Sequence, residues 1–311
     1  MEKNEIIVRV PATTANLGSG FDVVGLALSL YNEIHFIPED GDFADVMMTA
    51  EGEGLSILAT SDENVIFGAM EETANVIGKS LPAGRMHLVN RVPFARGMGS
   101  SSAAIVSGVV LANALLGSPL SDQEMLDIAS RVEGHPDNVA PALLGGFVIS
   151  KMDETGCTSV KVPVSADWKA VVAIPDFELL TEHARAVLPT SYSRADAVSN
   201  ISSISFLLTA FFQKKPEYLR IGLQDTIHVP YRIGLIPGGE DVIRMAEEAG
   251  AFGATISGSG STMIAFSDEA HAEAVGDAMQ KAFAGKDMTS RIMILDFNQN
   301  GAEVLVKPIE A

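Results

Sequence analysis

The feature that most constrains this chain is a short segment, Pro93 to Ala104, in which a glycine turn runs directly into the start of a helix. It combines two glycines with three consecutive serines, and no charged residue follows Arg96 until Asp122. Glycines allow the backbone N–H groups to turn inward, and the positive end of the helix dipole then faces whatever the turn encloses. The segment therefore predicts a cradle for phosphate, with a helix start packed tightly against a sheet as the structural alternative.

Composition indicates a globular protein that binds neither nucleic acid nor membranes. The 311 residues include 40 acidic and 21 basic side chains, for a formal net charge of −19. Because an acidic protein repels polyphosphate at long range, bound phosphate would need backbone dipoles, a cation and a few arginines. The single cysteine, Cys157, the lack of an uninterrupted apolar run of about 20 residues and a polar start without a signal peptide predict a cytoplasmic protein.

Alternating strand and helix patterns without internal repeats predict mixed α/β structure. Strands are expected at 5–10, 86–92, 169–174 and 291–296, and helices at 100–116, 198–212, 241–249 and 268–283. A further helix begins after Ser121, which forms a capping box with Glu124, and ends at Gly134. Because the chain becomes polar from 155 to 161 before a new strand begins, we expect two domains, at residues 1–160 and 161–311.

Two common nucleotide-binding motifs are missing from the sequence. No GxxxxGK[ST] run occurs, and Ser102 occupies the position of the third glycine of GxGxxG. Instead, the glycine segment is accompanied by PATTANLGSGFD at 11–22, EGHPDN at 133–138 and GATISGSGST at 253–262. Taken in this order, these segments resemble the motifs of the GHMP kinases, a family of small-molecule kinases, over nearly the whole chain. The first motif and the run EGHPDNVAPALLGG are similar to the branch of that family that phosphorylates homoserine.

The resemblance implies an α+β fold of the GHMP kinase type, with an N-terminal domain like domain 2 of ribosomal protein S5 and a ferredoxin-like C-terminal domain. It also implies ATP and Mg²⁺ as cofactors, and a homodimer. The residues expected to wrap the triphosphate are Pro93, Phe94, Ala95, Arg96, Gly97, Met98, Gly99, Ser100, Ser101, Ser102 and Ala103. Asn64 is expected to meet adenine, and Ser101 and Glu133 to bind Mg²⁺, which prefers hard oxygen ligands.

The same resemblance implies that the substrate is L-homoserine, phosphorylated on its side-chain hydroxyl to O-phospho-L-homoserine in threonine biosynthesis. The expected catalytic residues are Glu133, Asn138, which would orient the hydroxyl, and Asp137, for which a role as general base stays open. The expected substrate-binding residues are Asn16, Asp22, His135, Asp137, Thr181, Arg185 and Arg232. The two arginines would bind the substrate carboxylate, because a guanidinium matches a carboxylate in bidentate geometry.

Two alternatives stay open at this point. Another GHMP kinase could act on an isoprenoid precursor or a sugar, although mevalonate has no ammonium group to match Asn16 and Asp22 in the first motif. A sensor could keep the fold and bind ATP without turnover, although Ser101 and Glu133 would supply metal ligands. Substrate screening distinguishes a kinase for homoserine from one for an isoprenoid precursor or a sugar. A single assay of ATP consumption distinguishes an enzyme from a sensor.

Overall fold

The computed structural model describes residues 4–54 and 64–309, and its strands form two β-sheets. The first sheet contains β1 Asn4–Ala15, β2 Val24–Asp42, β3 Met47–Gly52, β4 Pro82–Asn90, β5 Phe147–Asp153, β6 Gly156–Val162 and β11 Glu303–Pro308. Its order is β11-β1-β2-β4-β3, with β5 paired to β2 and β6 paired to β5. The second sheet contains β7 Trp168–Pro175, β8 Gly253–Ile256, β9 Met263–Asp268 and β10 Ser290–Leu295, in the order β10-β7-β9-β8.

Helices cover both sheets, and their ends follow local sequence signals. They are α1 Val65–Ile77, α2 Ser100–Leu115, α3 Asp122–Glu133, α4 Val139–Leu144, α5 Thr181–Ala186, α6 Arg194–Gln213, α7 Leu219–Gly222, α8 Val229–Arg232, α9 Gly239–Glu248 and α10 Glu269–Ala284. The capping box of Ser121 and Glu124 is present at the start of α3, and Gly134 ends that helix with a φ of 88°. The predicted boundaries of α2 and α3 are therefore confirmed to within a residue.

The polar stretch at 155–161, near which we expect the domain boundary, lies almost entirely in the strand β6. Cys157 and Val162 are buried, and the other residues of this strand are exposed or half-buried. The last strand, β11, returns to pair with β1 and so adds C-terminal residues to the first sheet. The division of the chain into domains near residue 160 stays a prediction.

Helix α6 is the one helix in the described ranges that is long and apolar enough to cross a membrane by length and hydropathy alone, with a mean hydropathy of 1.3. Its first turn is closed by a capping box of Ser193 and Asp196. Leu207 and Phe211 are buried in a hydrophobic cluster that joins the two sheets through Phe147 of β5. One face of α6 therefore packs in the protein core, and the opposite face stays exposed.

Candidate active site

Four loops surround a cavity of about 400 Å³. They are the β1–β2 loop at 16–23, the β4–α2 loop at 91–99, the α3–α4 loop at 134–138 and the β8–β9 loop at 257–262. Backbone hydrogen bonds join them across the two sheets: the N–H of Gly258 donates to the carbonyl of Ala15, and the N–H of Thr262 donates to the carbonyl of Arg96, both at 3.1 Å. The cavity is therefore built from distant parts of the sequence that the fold holds together.

The glycine segment predicted to cradle phosphate forms one wall of this cavity. Gly97 and Gly99 have φ values of 77° and 70°, a region that side chains with a Cβ rarely adopt. A Cβ on Gly99 would lie 1.9 Å from Oγ1 of Thr13, so the position has room for glycine alone. Helix α2 begins at Ser100 with no side chain capping its first N–H groups. These N–H groups and the helix dipole can bind an anion.

Glu133 faces this helix start from the last residue of α3. Its Oε2 accepts a hydrogen bond from Ser101 Oγ at 3.0 Å, and its Oε1 accepts one from Ser102 Oγ at 2.8 Å. A carboxylate and a hydroxyl are hard oxygen ligands that fit Mg²⁺ when phosphate oxygens and water complete the shell. Within residues 4–54 and 64–309, no group of three or more His, Cys, Asp or Glu side chains is placed to hold a metal by itself.

The α3–α4 loop brings His135, Asp137 and Asn138 to the cavity. Asp137 is only 2% exposed, and its Oδ1 lies 2.8 Å from Nδ1 of His135 and accepts the backbone N–H of Asn138 at 3.0 Å. The hydrogen bond to Asp137 raises the pKa of His135, against the opposing effect of burial. Thr13 Oγ1 donates to Oδ1 of Asn138 at 2.8 Å, and Nδ2 of Asn138 lies 3.5 Å from Oδ1 of Asp137, so the amide nitrogen keeps one N–H group for a ligand.

The expected substrate-binding residues of the first motif meet Arg185 in the same cavity. Arg185 donates two hydrogen bonds to the carboxylate of Asp22, at 2.8 and 3.0 Å, and this pairing raises the pKa of Arg185. Asn16 fixes the loop, because its Oδ1 accepts the N–H of Asp22 and its Nδ2 donates to the carbonyl of Gly258. Opposite charges thus stand side by side, as recognition of a zwitterion requires.

Arg232 approaches the same place from α8 and is only 1% exposed. Its Nε donates to the carbonyl of Ala184 in α5, at 2.9 Å. Burial, and next the nearby charge of Arg185, lowers the pKa of Arg232 to about 10, so the side chain remains a cation at neutral pH. The ring of Phe21 lies under both arginines, 5.7 Å from Arg185 and 5.1 Å from Arg232.

Asn64 lies apart from this cavity, at the start of α1. Its Oδ1 accepts the N–H of Ile66, and the side chain lines a second cavity beside Ser101 and Glu133. A smaller cavity of about 140 Å³ lies next to the glycine segment and is mainly apolar, with Ile34, Val65, Ile66, Leu88 and Phe94 in its wall. Asp62 and Glu63, the two residues before Asn64, lie outside the described residues.

Most of the predicted site residues line the main cavity, namely Asn16, Asp22, Phe94, Ala95, Arg96, Gly97, Gly99, Ser100, Ser101, Ser102, Glu133, His135, Asp137, Asn138, Thr181, Arg185 and Arg232. Pro93, Met98 and Ala103 do not: Pro93 is buried elsewhere, and Met98 and Ala103 belong to hydrophobic clusters of the core. Arg96 lines the cavity, but its Nη1 donates to the carbonyl of Pro175 at 2.6 Å and ties the loop to the end of β7.

Sequence reasoning missed three residues at the site: Ser259, which lines the cavity, and Thr13 and His228, which hydrogen-bond to its loops. Thr13 lies 125 residues before its partner Asn138, and His228 contacts the carbonyl of Gly18 over 210 residues. Ser259 Oγ lies 3.2 Å from Oγ1 of Thr181. Thr13 stands inside the first motif and Ser259 inside the last, so membership in those motifs was the available signal, whereas their contacts depend on the fold.

Comparison with known proteins identifies the family to which this architecture belongs. The family model described as the GHMP kinases N terminal domain matches residues 64–146, and the GHMP kinases C terminal model matches residues 207–285. A homoserine kinase of Carboxydothermus hydrogenoformans is 44% identical over 301 residues, with 97% of each chain covered. A homoserine kinase of Microchaete diplosiphon is 43% identical over 303 residues, with 97% of this chain and 98% of the relative covered.

Solved structures agree with the sequence matches. The crystal structure of homoserine kinase from Cytophaga hutchinsonii superposes with a TM-score of 0.86 at 31% identity and covers 97% of both chains. The crystal structure of L. major mevalonate kinase in complex with R-mevalonate has a TM-score of 0.72 at 13% identity, over 94% of this chain and 95% of that one. At that identity the second likeness shows the fold alone.

Proposed function

This chain belongs to the GHMP kinase family, and from that premise we propose that it transfers the γ-phosphate of ATP to the side-chain hydroxyl of L-homoserine, giving O-phospho-L-homoserine in threonine biosynthesis. The observation that carries the proposal is the pairing of Asp22 with Arg185 in a cavity whose other wall is the glycine segment. Such a cavity offers a carboxylate for an ammonium, a guanidinium for a carboxylate, and N–H groups for phosphate.

ATP would bind with its phosphates against the N-terminus of α2. The uncapped N–H groups of that helix face the cavity, and the serine hydroxyls lie beside them. Ser101 and Glu133 would hold Mg²⁺, which supplies charge neutralisation for the triphosphate when bound. The cavity of about 140 Å³ beside Phe94 has an apolar lining suited to an adenine ring, and Asn64 lines the neighbouring cavity.

Homoserine would bind with its ammonium at Asp22 and its carboxylate between Arg185 and Arg232. The Asp22 carboxylate is hydrogen-bonded to the guanidinium of Arg185. A zwitterion can replace both halves of this ion pair at once, whereas a carboxylic acid without an ammonium leaves Asp22 without its cation. The charges of the site therefore favour an α-amino acid over mevalonate or a neutral sugar.

Asn138 would orient the attacking hydroxyl through its amide nitrogen, because its oxygen is already held by Thr13. The hydroxyl oxygen forms the new bond to the γ-phosphorus, the bond to the β–γ bridging oxygen breaks, and ADP leaves. Phosphoryl transfer through a loose transition state needs little activation of the nucleophile, so its proton can pass late in the reaction to an oxygen of the transferred phosphoryl group. Asp137 is engaged by His135 and by the N–H of Asn138, so its part is to hold this loop in place beside the substrate.

The protein would work as a cytoplasmic homodimer. An exposed apolar face on α6 supports self-association, with Val198, Ile201 and Phe212 exposed by 60%, 65% and 57%. Cys157 is buried and free, which suits a reducing compartment.

ADP release with L-homoserine, L-threonine, mevalonate and galactose, measured side by side at saturating ATP, tests the proposed reaction. We expect turnover with L-homoserine and little with the other three. Faster turnover with mevalonate or galactose would assign the chain to another branch of the family. ATP binding without consumption in any reaction would make it a sensor.

A further inference from the structure

His228 is a fully buried, titratable side chain that the proposed reaction leaves without a role. It stands at the start of α8, four residues before Arg232, and residues with this spacing lie on the same side of a helix. Its Nδ1 is 3.2 Å from Nη1 of Arg232, and its Nε2 is 2.9 Å from the carbonyl of Gly18 in the first motif. One imidazole thus connects the loop that carries Asp22 to a guanidinium of the cavity.

The partners of His228 determine its tautomer. A guanidinium can only donate and a carbonyl can only accept, so Nδ1 of His228 must be the acceptor and Nε2 must carry the proton. The ring is therefore neutral and hydrogen-bonded at both nitrogens. Asp225 fixes the backbone around it, since its carboxylate accepts the N–H groups of Ile227, His228 and Val229 at 2.6 to 2.9 Å.

Three contacts restrict the position of the Arg232 guanidinium. Nε donates to the carbonyl of Ala184, Nη1 donates to His228, and the plane lies 5.1 Å from the ring of Phe21, which itself stacks on His228 at 5.0 Å. In the described part of the chain, the hydrogen bonds of Arg232 use Nε and one N–H group of Nη1, which leaves the other N–H group of Nη1 and both N–H groups of Nη2 for a ligand in the cavity.

We propose that His228 is a positioning residue that aims the guanidinium of Arg232 at the substrate carboxylate and thereby determines how tightly the amino acid is bound. The inference rests on the proposed function, because it assigns the carboxylate of homoserine to Arg232. Without the acceptor at Nδ1, Nη1 of Arg232 would lose a buried partner, and the side chain would take other rotamers that do not match a bidentate carboxylate.

Three variants of His228 separate its two hydrogen bonds. His228→Asn places an amide oxygen near the position of Nδ1 and keeps an acceptor for Arg232. His228→Gln places an amide nitrogen near Nε2 and keeps a donor for Gly18, and His228→Phe keeps the ring against Phe21 but removes both hydrogen bonds. The quantities to measure are KM for homoserine, kcat, KM for ATP, and the thermal midpoint of unfolding.

We expect His228→Gln and His228→Phe to raise the homoserine KM by about tenfold or more, with kcat and the ATP KM changed by less than about twofold. His228→Asn should return the homoserine KM to within about threefold of the wild-type value. In an Arg232→Leu background, His228→Gln should change the homoserine KM by less than about twofold, because the guanidinium that His228 positions is already absent. If His228 served only folding, KM for homoserine, kcat and KM for ATP would all change together with the thermal midpoint. The effect would then not depend on whether the variant keeps an acceptor for Arg232.

A homoserine KM in His228→Gln equal to that of the wild type would overturn the positioning role, as would an Asn variant no better than the Gln variant. If His228→Phe does not fold, the comparison of Asn with Gln decides the question. Turnover of homoserine by the wild-type enzyme is measured first: its absence would overturn the proposed function, whereas turnover combined with unchanged variants would overturn only the role of His228.

Discussion

Glu133 shows how single residues determine the chemistry of this site. Its carboxylate lies at the C-terminal end of α3, where the helix dipole disfavours negative charge. The carboxylate accepts hydrogen bonds from two serine hydroxyls at the start of α2. This unfavourable placement is consistent with a carboxylate that serves a cation rather than the stability of its own helix. The proposed Mg²⁺ contact therefore predicts an effect on turnover without an effect on folding.

Replacing Glu133→Gln keeps the shape of the side chain and removes its charge. We expect kcat to fall about 100-fold, or roughly 3 kcal/mol of transition-state stabilisation, with an unchanged thermal midpoint. Steady-state kinetics across a Mg²⁺ titration provide the measurement, with Glu273→Gln on the exposed face of α10 as the control. Full activity of the Gln variant at limiting Mg²⁺ would remove Glu133 from the set of metal ligands.

The buried imidazole of His228 predicts a pH dependence of stability. Burial lowers its pKa from 6.5 to about 4, with Arg232 acting in the same direction and Asp225, Asp22 and the carbonyl of Gly18 opposing it. Between these two pH values the unfolded chain binds more protons than the folded one. The contribution of His228 to the free energy of unfolding is therefore fully present above about pH 6.5 and is lost as the pH falls toward about 4. Denaturant unfolding of the wild type and His228→Asn should show a shallower acid loss in the variant; parallel curves would contradict the assignment.

At the scale of elements, the glycine segment and α2 form one unit whose start cannot accept a side chain. Gly99 and Gly117 flank the helix, and both have a positive φ, of 70° and 93°. A Cβ at Gly99 would lie 1.9 Å from Thr13 Oγ1, whereas a Cβ at Gly117 meets nothing within 4 Å. An alanine at either position strains the backbone, but only an alanine at Gly99 also clashes with a residue of the site.

We expect Gly99→Ala to weaken ATP binding by about tenfold or more, because the clash displaces Thr13, Asn138 and the helix N-terminus together. The control, Gly117→Ala, carries the strain of the backbone without the clash and should lose only about 1 kcal/mol of stability, with unchanged ATP affinity. Nucleotide titration of both variants is the measurement. An unchanged ATP affinity in Gly99→Ala would contradict the assignment of the phosphate cradle.

Some of these elements could be predicted from local sequence signals, and others could not. The ends of α3 follow from Ser121 and Glu124 at its start and from Gly134 at its end, and each signal acts within one turn of the helix. The pairing of β11 with β1 joins residues 303–308 to residues 4–9, and no local pattern specifies a partner at that distance. The same holds for the site. Its motifs could be recognised in the sequence, but the contacts of Thr13 with Asn138 and of His228 with Gly18 arise only when the chain folds.

At the scale of the whole molecule, the exposed face of α6 predicts a dimer. Ile201 is 65% exposed near the centre of that face, and a charge there would have to be desolvated in an interface. We expect sedimentation equilibrium to give a dimer for the wild type and a monomer for Ile201→Asp. Val160→Asp on β6, where the side chain is 54% exposed, is the matched control and should stay dimeric. A monomeric wild type, or a dimeric Ile201→Asp, would move the interface elsewhere.

Homoserine kinetics and ATP titration of Arg185→Leu and Arg232→Leu test most directly the central claim that the cavity recognises an amino acid for phosphorylation. We expect kcat/KM for homoserine to fall in each variant by a factor that corresponds to about 2–4 kcal/mol of transition-state stabilisation, as for the loss of a charge-assisted contact in the cavity, with a much smaller change in ATP affinity. Arg244→Leu, which removes an exposed arginine from ion pairs on α9, should leave both quantities unchanged. Unchanged homoserine KM and kcat in both cavity variants would contradict the account, and weaker ATP binding with unaltered homoserine binding would assign the arginines to phosphate instead.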